Sequence, residues 1–232
     1  MPYKGFANQA YLITAIDLKD QMGEVVLIDV RPAEAYAAGH IGGTSHFDLY
    51  GISLNDTSPA PLEAFMSMIN HQFEFRGVTH ESPVVIYDEE TGERASRGVW
   101  LLAVLDHPNT KLLDGGVQAW TDAGQKLTTV TAPPTRTTYS GGRNLDILAS
   151  RFDVHRAIRD DDSVLVDVRR DTEILGTEKR ARRLGTMPGA VPIPWRENLD
   201  GKGAFRSAEE IRDVYAAKGI TPDKSIIAYC QG

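Results

Sequence analysis

Cysteine is almost absent from this sequence, since Cys230 is the only one in 232 residues. A single cysteine cannot form a disulfide within the chain, which agrees with a reducing compartment and leads us to expect a cytoplasmic protein. None of the six histidines stands at metal-ligand spacing from Cys230, so we expect no zinc site. We expect no other cofactor.

Long apolar runs and an excess of positive charge are also missing. No apolar stretch approaches the roughly 20 residues that a membrane-spanning helix requires. The first twelve residues lack the charged segment and apolar stretch of a signal peptide. With a net charge of −7, the chain gives no indication of nucleic acid or an anionic membrane as a partner.

The sequence contains one pattern twice. The stretch VVLIDVRP at residues 25–32 recurs as VLVDVRRD at 164–171, and each is a β-branched run that ends in Asp-Val-Arg. Such a run predicts a buried parallel strand. Because both copies keep the Asp and the Arg, we predict that these two residues form a structural ion pair and take no part in catalysis.

Helix signals surround the repeated strands. An amphipathic helix is predicted over residues 61–73, with Phe65, Met68, Ile69 and Phe73 on its apolar face. Capping boxes mark three helix starts: Thr14 with Asp17, Ser150 with Asp153, and Ser207 with Glu210.

A gap-free alignment gives Cys230 a counterpart. GVTHESPVVIYD at 77–88 aligns with GITPDKSIIAYC at 219–230, so Cys230 corresponds to Asp88. A lone cysteine is often a buried structural residue, but such a residue would more naturally have an apolar counterpart. We therefore expect a polar, accessible position at a strand end, where parallel sheets bind ligands.

Alternating strands and helices predict an α/β fold in two domains, each with a mostly parallel central sheet flanked by helices. The predicted domains are 1–127 and 145–232, joined by a Thr/Pro/Gly-rich linker at 128–144. The second copy has nothing to match residues 89–127 of the first. We therefore expect its sheet to be truncated after the cysteine strand, with apolar surface exposed, and the 232-residue chain as given to have little or no activity.

Several motifs, in order, resemble those of one family: LIDVRPAEAYAAGHIGG, VIYDEETGERASRGVWLL, LLDGGVQAW, LVDVRRDTE, PGAVPIPW and IIAYCQG. The chain resembles a tandem-domain rhodanese, a thiosulfate or 3-mercaptopyruvate sulfurtransferase. The resemblance implies an inert first domain and a catalytic second one. It implies transfer of a sulfane sulfur from a small anionic donor to cyanide, a thiol or a protein acceptor through a Cys230 persulfide. Thr186 departs from the family, which typically has a histidine there.

The resemblance also implies substrate-binding residues. Gln231 and Gly232 would begin a cradle of backbone N–H groups around the sulfur. Arg94 would bind the anionic substrate, although a solvated arginine is an equal alternative. Trp195 would form a pocket wall, with core packing as the alternative.

Two other functions stay open at this point. A catalytically silent rhodanese-like module for binding or regulation is favoured by Asp88, which cannot act as a thiol. A cysteine phosphatase related in fold would need an arginine several residues beyond Cys230. The duplicated layout argues against the phosphatase.

Overall fold

The computed structural model describes residues 3–8, 10–54, 56–133, 135–180 and 184–230. The described residues form two compact units. The first unit comprises Ala7–Leu148 with Gly201–Phe205, and the second comprises Met1–Phe6, Ala149–Asp200 and Arg206–Gly232. None of the helices in the described part of the chain combines the length and the hydropathy that a membrane span requires.

The first unit alternates strands with helices. Its strands are β1 (Leu12–Ile13), β2 (Val26–Asp29), β3 (Ser45–His46), β4 (Val84–Tyr87) and β5 (Thr110–Leu113). Its helices are α1 (Ala15–Asp20), α2 (Ala33–Ala38), α3 (Pro59–Glu74), α4 (Glu93–Val104) and α5 (Gly116–Asp122). The strands pair in parallel in the order β1-β5-β4-β2-β3. This is the predicted α/β architecture.

Apolar residues cover both faces of this sheet. Successive side chains of a strand point to opposite faces, so Leu27 and Ile28 enter different cores. Ile28 packs in a cluster with Phe73 of α3, whereas Leu27 packs in a second cluster with Trp120 of α5. Every residue of β4 is buried. These continuous apolar runs are therefore explained by burial on both faces.

Helix α3 buries a different stripe from the one predicted. Leu62, Met66, Ile69 and Phe73 are buried, but Met68 is 41% exposed. Met68 precedes Ile69 and lies about 100° from it around the helix axis, because a helix has 3.6 residues per turn. The stripe that faces the sheet is narrower than the predicted one. The prediction that placed Met68 on the apolar face was wrong.

The second unit has a smaller sheet of the same design. Its strands are β6 (Ser163–Asp167), β7 (Val191–Pro192) and β8 (Ser225–Tyr229), and its helices are α6 (Arg151–Ala157), α7 (Asp171–Ile174) and α8 (Ala208–Ala216). The parallel order β7-β6-β8 corresponds to β3-β2-β4 of the first unit. Ile226 of β8 is 46% exposed, against 1% for Val84 at the matching position. The predicted exposure of apolar surface is confirmed.

The predicted helix caps are present. Thr14, Ser150 and Ser207 each accept a backbone N–H through the side-chain oxygen, and the boxes at Ser150 and Ser207 are complete in both directions. Each cap satisfies N–H groups that the first turn of a helix leaves without a partner.

Residues 128–144, the expected linker, contain no helix or strand among their described members. They nonetheless lie along the first unit. The backbone of Thr128 bridges that of His40, and Tyr139 is buried in the core, where its hydroxyl donates to the Leu105 carbonyl at 3.0 Å. The first compact unit therefore continues to Leu148.

Candidate active site

The ends of β6 and β8 lie side by side at one edge of the second unit's sheet. Asp167 is the register partner of Tyr229, whose carbonyl accepts the Val168 N–H at 3.1 Å. Cys230 follows directly and is exposed to solvent. It therefore occupies the carboxyl end of a parallel strand, the edge at which such sheets bind ligands.

A buried ion pair stands next to this strand end. Arg169 Nε donates to Asp167 Oδ1 at 2.8 Å, and Arg169 Nη2 donates to Oδ2 at 2.6 Å and to the Gly185 carbonyl at 2.9 Å. Burial disfavours the charged Asp167 carboxylate, but hydrogen bonds from Arg169 and Tyr229 outweigh burial, so the pKa of the carboxyl is lowered. The predicted ion pair is confirmed, and it joins the strand end to the turn at Gly185.

The Tyr229 side chain completes this network, and the motif comparison did not identify it. Its hydroxyl donates to Asp167 Oδ2 at 2.7 Å and accepts the Met187 N–H at 3.2 Å. The Arg169 guanidinium carbon lies 5.8 Å from the ring centroid. Burial raises the pKa of the Tyr229 phenol, which keeps it a hydrogen-bond donor. The sequence contained a signal for this residue, because a tyrosine directly precedes Asp88 in the first aligned stretch and Cys230 in the second.

The first unit contains a similar network, although the Tyr87 hydroxyl donates to Thr44 Oγ1 at 3.4 Å. Arg31 Nη2 donates to Asp29 Oδ2 at 2.7 Å and to the Gly39 carbonyl at 2.7 Å. The Tyr87 hydroxyl accepts the Ile41 N–H at 3.1 Å, and Tyr87 is the register partner of Asp29. The register of β4 on β2 is therefore that of β8 on β6, so Asp88 and Cys230 are equivalent positions in the two sheets.

Asp88 is buried, which corrects the prediction of an accessible position in both copies. Asp88 is 6% exposed. Its carboxylate accepts hydrogen bonds from the backbone N–H of Glu89, at 2.9 Å, and from that of Arg94. Arg94 lies in the first turn of α4, where helix N–H groups and the helix dipole favour an anion. The prediction of an accessible side chain was wrong for Asp88, because its carboxylate turns back toward this cradle of N–H groups.

The Asp88 cradle also requires a glycine. A Cβ at Gly92, the N-cap of α4, would lie 2.5 Å from Asp88 Oδ2. Despite its hydrogen bonds, burial raises the pKa of Asp88 to about 6, and the nearby Glu93 acts in the same direction. The first unit therefore has a buried carboxyl group, hydrogen-bonded to backbone N–H groups, where the second has a thiol.

The other predicted site residues fall in different places. Trp195 begins a 3-10 helix, Trp195–Asn198. Its backbone N–H donates to the Val168 carbonyl at 3.0 Å, so Trp195 lies at the same sheet edge as Cys230. Arg94 belongs to the first unit, where its guanidinium carbon lies 5.6 Å from the Tyr50 ring centroid. Gln231 and Gly232 lie outside the described residues. The substrate-binding roles of all four residues stay predictions.

Two further observations concern the site in the second unit. Thr186, at the position of the family's histidine, is exposed, and its Oγ1 lies 3.3 Å from the Tyr229 hydroxyl oxygen. Among the residues that the structure describes, no three His, Cys, Asp or Glu side chains are grouped so as to hold a metal ion.

Comparison with known proteins places this geometry in a family. The Rhodanese-like domain profile matches residues 14–123. The thiosulfate sulfurtransferase of Pseudomonas aeruginosa is 30% identical to this chain, over 97% of the chain and 84% of that protein. The chain belongs to the rhodanese sulfurtransferase family.

Further relatives agree with this assignment. The sulfur carrier protein TtuD of Thermus thermophilus is 32% identical to this rhodanese, over 98% of this chain and 84% of that protein. The crystal structure of SseA from Escherichia coli, described as a 3-mercaptopyruvate sulfotransferase, superposes with a TM-score of 0.80 at 24% identity, over 95% of this chain and 88% of that one. The protein is a sulfurtransferase with the rhodanese fold.

Proposed function

We propose that this rhodanese moves a sulfane sulfur from thiosulfate to a thiophilic acceptor through a persulfide on Cys230. The observation that carries the proposal is the position of Cys230, exposed and directly beyond the carboxyl end of β8. Thiosulfate is favoured over 3-mercaptopyruvate as the donor because the relatives named thiosulfate sulfurtransferase include one at 30% identity over most of both chains.

The reaction has two displacement steps. The Cys230 thiolate attacks the outer sulfur of thiosulfate, so that a bond forms between Sγ and that sulfur while the sulfur–sulfur bond of thiosulfate breaks. Sulfite leaves with the electron pair. An acceptor, either cyanide or a thiolate, then attacks the outer sulfur of the persulfide and restores the Cys230 thiolate. Splitting one transfer into two substitutions is the general advantage of covalent catalysis.

We propose that backbone N–H groups stabilise the anions that take part in the reaction. In the first unit, the residues after β4 hold the Asp88 carboxylate with such groups at the start of α4. We propose that the backbone after Cys230, beginning with Gln231 and Gly232, does the same for the thiolate, the persulfide and the sulfonate end of thiosulfate. No general base is needed, because a thiolate is the attacking species and sulfite is a stable leaving group.

The physiological acceptor is proposed to be a thiol, on a small molecule or on a protein. A protein acceptor is supported by the relative named as a sulfur carrier protein, which is 32% identical to this chain. Cyanide serves as a convenient substitute in assays. A cytoplasmic location stays a prediction that rests on the single cysteine.

The proposal is tested by assay and by mass. The intact protein, with whatever segment follows Gly232 in its gene, is expected to release thiocyanate from thiosulfate and cyanide, and incubation with thiosulfate alone should add the mass of one sulfur atom. The 232 residues alone are expected to have little or no activity. Cys230→Ser should abolish both. Asp88→Asn, altered at the equivalent position of the first unit, should retain thiocyanate release within about twofold, because it touches no reacting atom.

Three results would contradict the proposal. Normal thiocyanate release by Cys230→Ser would exclude Cys230 as the nucleophile. A wild-type protein that takes up no sulfur and releases no thiocyanate would favour the silent binding module. Hydrolysis of an aryl phosphate that depends on Cys230 would favour the phosphatase.

A further inference from the structure

The Tyr229 hydroxyl has no part in the sulfur-transfer steps, yet it connects three segments around Cys230. Through Asp167 it reaches the end of β6, through Met187 it reaches the turn before β7, and its own backbone ends β8. The bond to Asp167 is 2.7 Å long and charge-assisted, which places it among the stronger hydrogen bonds of proteins.

We infer that Tyr229 is a positioning residue for Cys230, and this inference rests on the function proposed above. Sharing of the hydroxyl between the Asp167 carboxylate and the Met187 N–H sets the position of the last residue of β8. Because Cys230 is the next residue, this contact determines where the thiol leaves the sheet. Removal of the hydroxyl leaves the Met187 N–H without this acceptor and Asp167 with one donor fewer, so the strand end is then held by its main-chain pairing with β6 and can shift more easily.

A shift of the strand end affects the reaction more than it affects the fold. Nucleophilic attack requires alignment of Sγ, the transferred sulfur and the leaving group, and a displacement of about 1 Å can reduce rates up to 10²-fold. The fold loses a single hydrogen bond, which is a small part of its total stabilisation. Tyr229 therefore acts through Cys230 and does not itself contact the reacting sulfur.

The repeat supplies a matched control. The Tyr87 hydroxyl accepts the Ile41 N–H at 3.1 Å, as that of Tyr229 accepts the Met187 N–H, but it donates to Thr44 Oγ1 at 3.4 Å. The equivalent arginine, Arg31, lies 5.7 Å from its ring. The residue that follows Tyr87 is Asp88, which has no thiol. Tyr87→Phe should therefore reduce the stability of its own unit without changing sulfur transfer.

The experiment compares Tyr229→Phe, Tyr87→Phe and the wild type. Steady-state thiocyanate release gives kcat and KM for thiosulfate, the rate of iodoacetamide alkylation at pH 7 reports Cys230 directly, and urea unfolding reports stability. Tyr229→Phe is expected to lower kcat about tenfold and alkylation about threefold, with KM within about twofold of the wild type. Tyr87→Phe should change only the unfolding curve.

Equal kcat and alkylation rates in Tyr229→Phe and the wild type would overturn the inference. So would equal losses in the two variants, since these would show an effect of stability alone. If the wild type releases no thiocyanate, the proposed function fails. The alkylation rates then decide the positioning role: slower alkylation in Tyr229→Phe than in Tyr87→Phe supports it, and equal rates contradict it.

Discussion

At the scale of single residues, the two equivalent positions Asp88 and Cys230 show how surroundings define a role. Both follow a tyrosine that pairs with the Asp of an Asp-Val-Arg motif. Asp88 is buried and held by backbone N–H groups, whereas Cys230 is exposed. The first unit thus has a carboxyl group within its own cradle, and the second has an exposed thiol, which we propose as the nucleophile.

Ionisation of Asp88 should make stability depend on pH. Burial raises its pKa from 3.8 to about 6, so between these values the folded state binds more protons than the unfolded state. The free energy of unfolding therefore falls as pH rises through this window. Relative to Asp88→Asn, the wild type should lose on the order of 2 to 3 kcal/mol between about pH 4 and pH 6, measured by urea unfolding. A difference that stays constant with pH would contradict this expectation.

The close approach of Gly92 to Asp88 leads to a second test. Gly92→Ala should lower the free energy of unfolding by about 1 to 3 kcal/mol, because the new Cβ would lie 2.5 Å from Asp88 Oδ2. Gly201→Ala is the control, since a Cβ there meets nothing within 4 Å. Combining Gly92→Ala with Asp88→Ala should reduce the loss, and an additive double variant would show that the contact is not the cause.

At the scale of elements, strand ends and helix starts organise both units. In residues 39–41, and again in residues 185–187, a backbone carbonyl accepts from an arginine and a backbone N–H donates to a tyrosine. Side chains thus join loops to strands that main-chain hydrogen bonds alone would leave separate. Helices α1, α6 and α8 begin with side-chain caps, which contribute locally and independently of the site.

The cap of α8 can be tested by truncation. Ser207 accepts the Glu210 N–H at 3.2 Å and donates to the Glu210 carboxylate at 2.7 Å. Ser207→Ala should lower the free energy of unfolding by about 1 kcal/mol, measured in urea. Ser58→Ala is the matched control, because Ser58 is the N-cap of α3 but makes no side-chain cap hydrogen bond. Equal losses in both variants would show that the capping contact contributes nothing.

At the scale of the whole molecule, the two units differ in how much core they have. The first unit has an apolar cluster on each face of its sheet. The fully buried apolar cluster of the second unit, within the described residues, consists of Val166, Ile193 and Ile220. Since apolar burial is the main favourable contribution to folding, the second unit should be the less stable of the two.

Native-state hydrogen exchange should reveal this difference. We expect the amides of β6 to exchange with a lower free energy of opening than those of β2, although the two strands carry nearly the same sequence. In rising urea the amides of β6 should lose protection first. Equal protection of both strands would show that the repeated strand sequence, and not the surrounding core, determines local stability.

Much of the fold follows from patterns that are local along the chain. The β-branched runs predicted β2 and β6, and the capping boxes predicted the starts of α1, α6 and α8. The Asp-Val-Arg ion pairs were predicted because both copies keep the two partners, which are only two residues apart. By contrast, Met68 was assigned to the wrong face, since only packing determines how wide a stripe the sheet covers.

The sequence by itself determined the α/β class, the duplicated layout and the equivalence of Asp88 and Cys230, because strand periodicity and register are encoded within short segments. Only the tertiary structure decided that Asp88 is buried, that Gly92 has to leave room for it, and that Tyr229 reaches Asp167. The Tyr229 contact joins residues 62 positions apart. Contacts of that kind depend on how separate strands pack, and no local pattern specifies them.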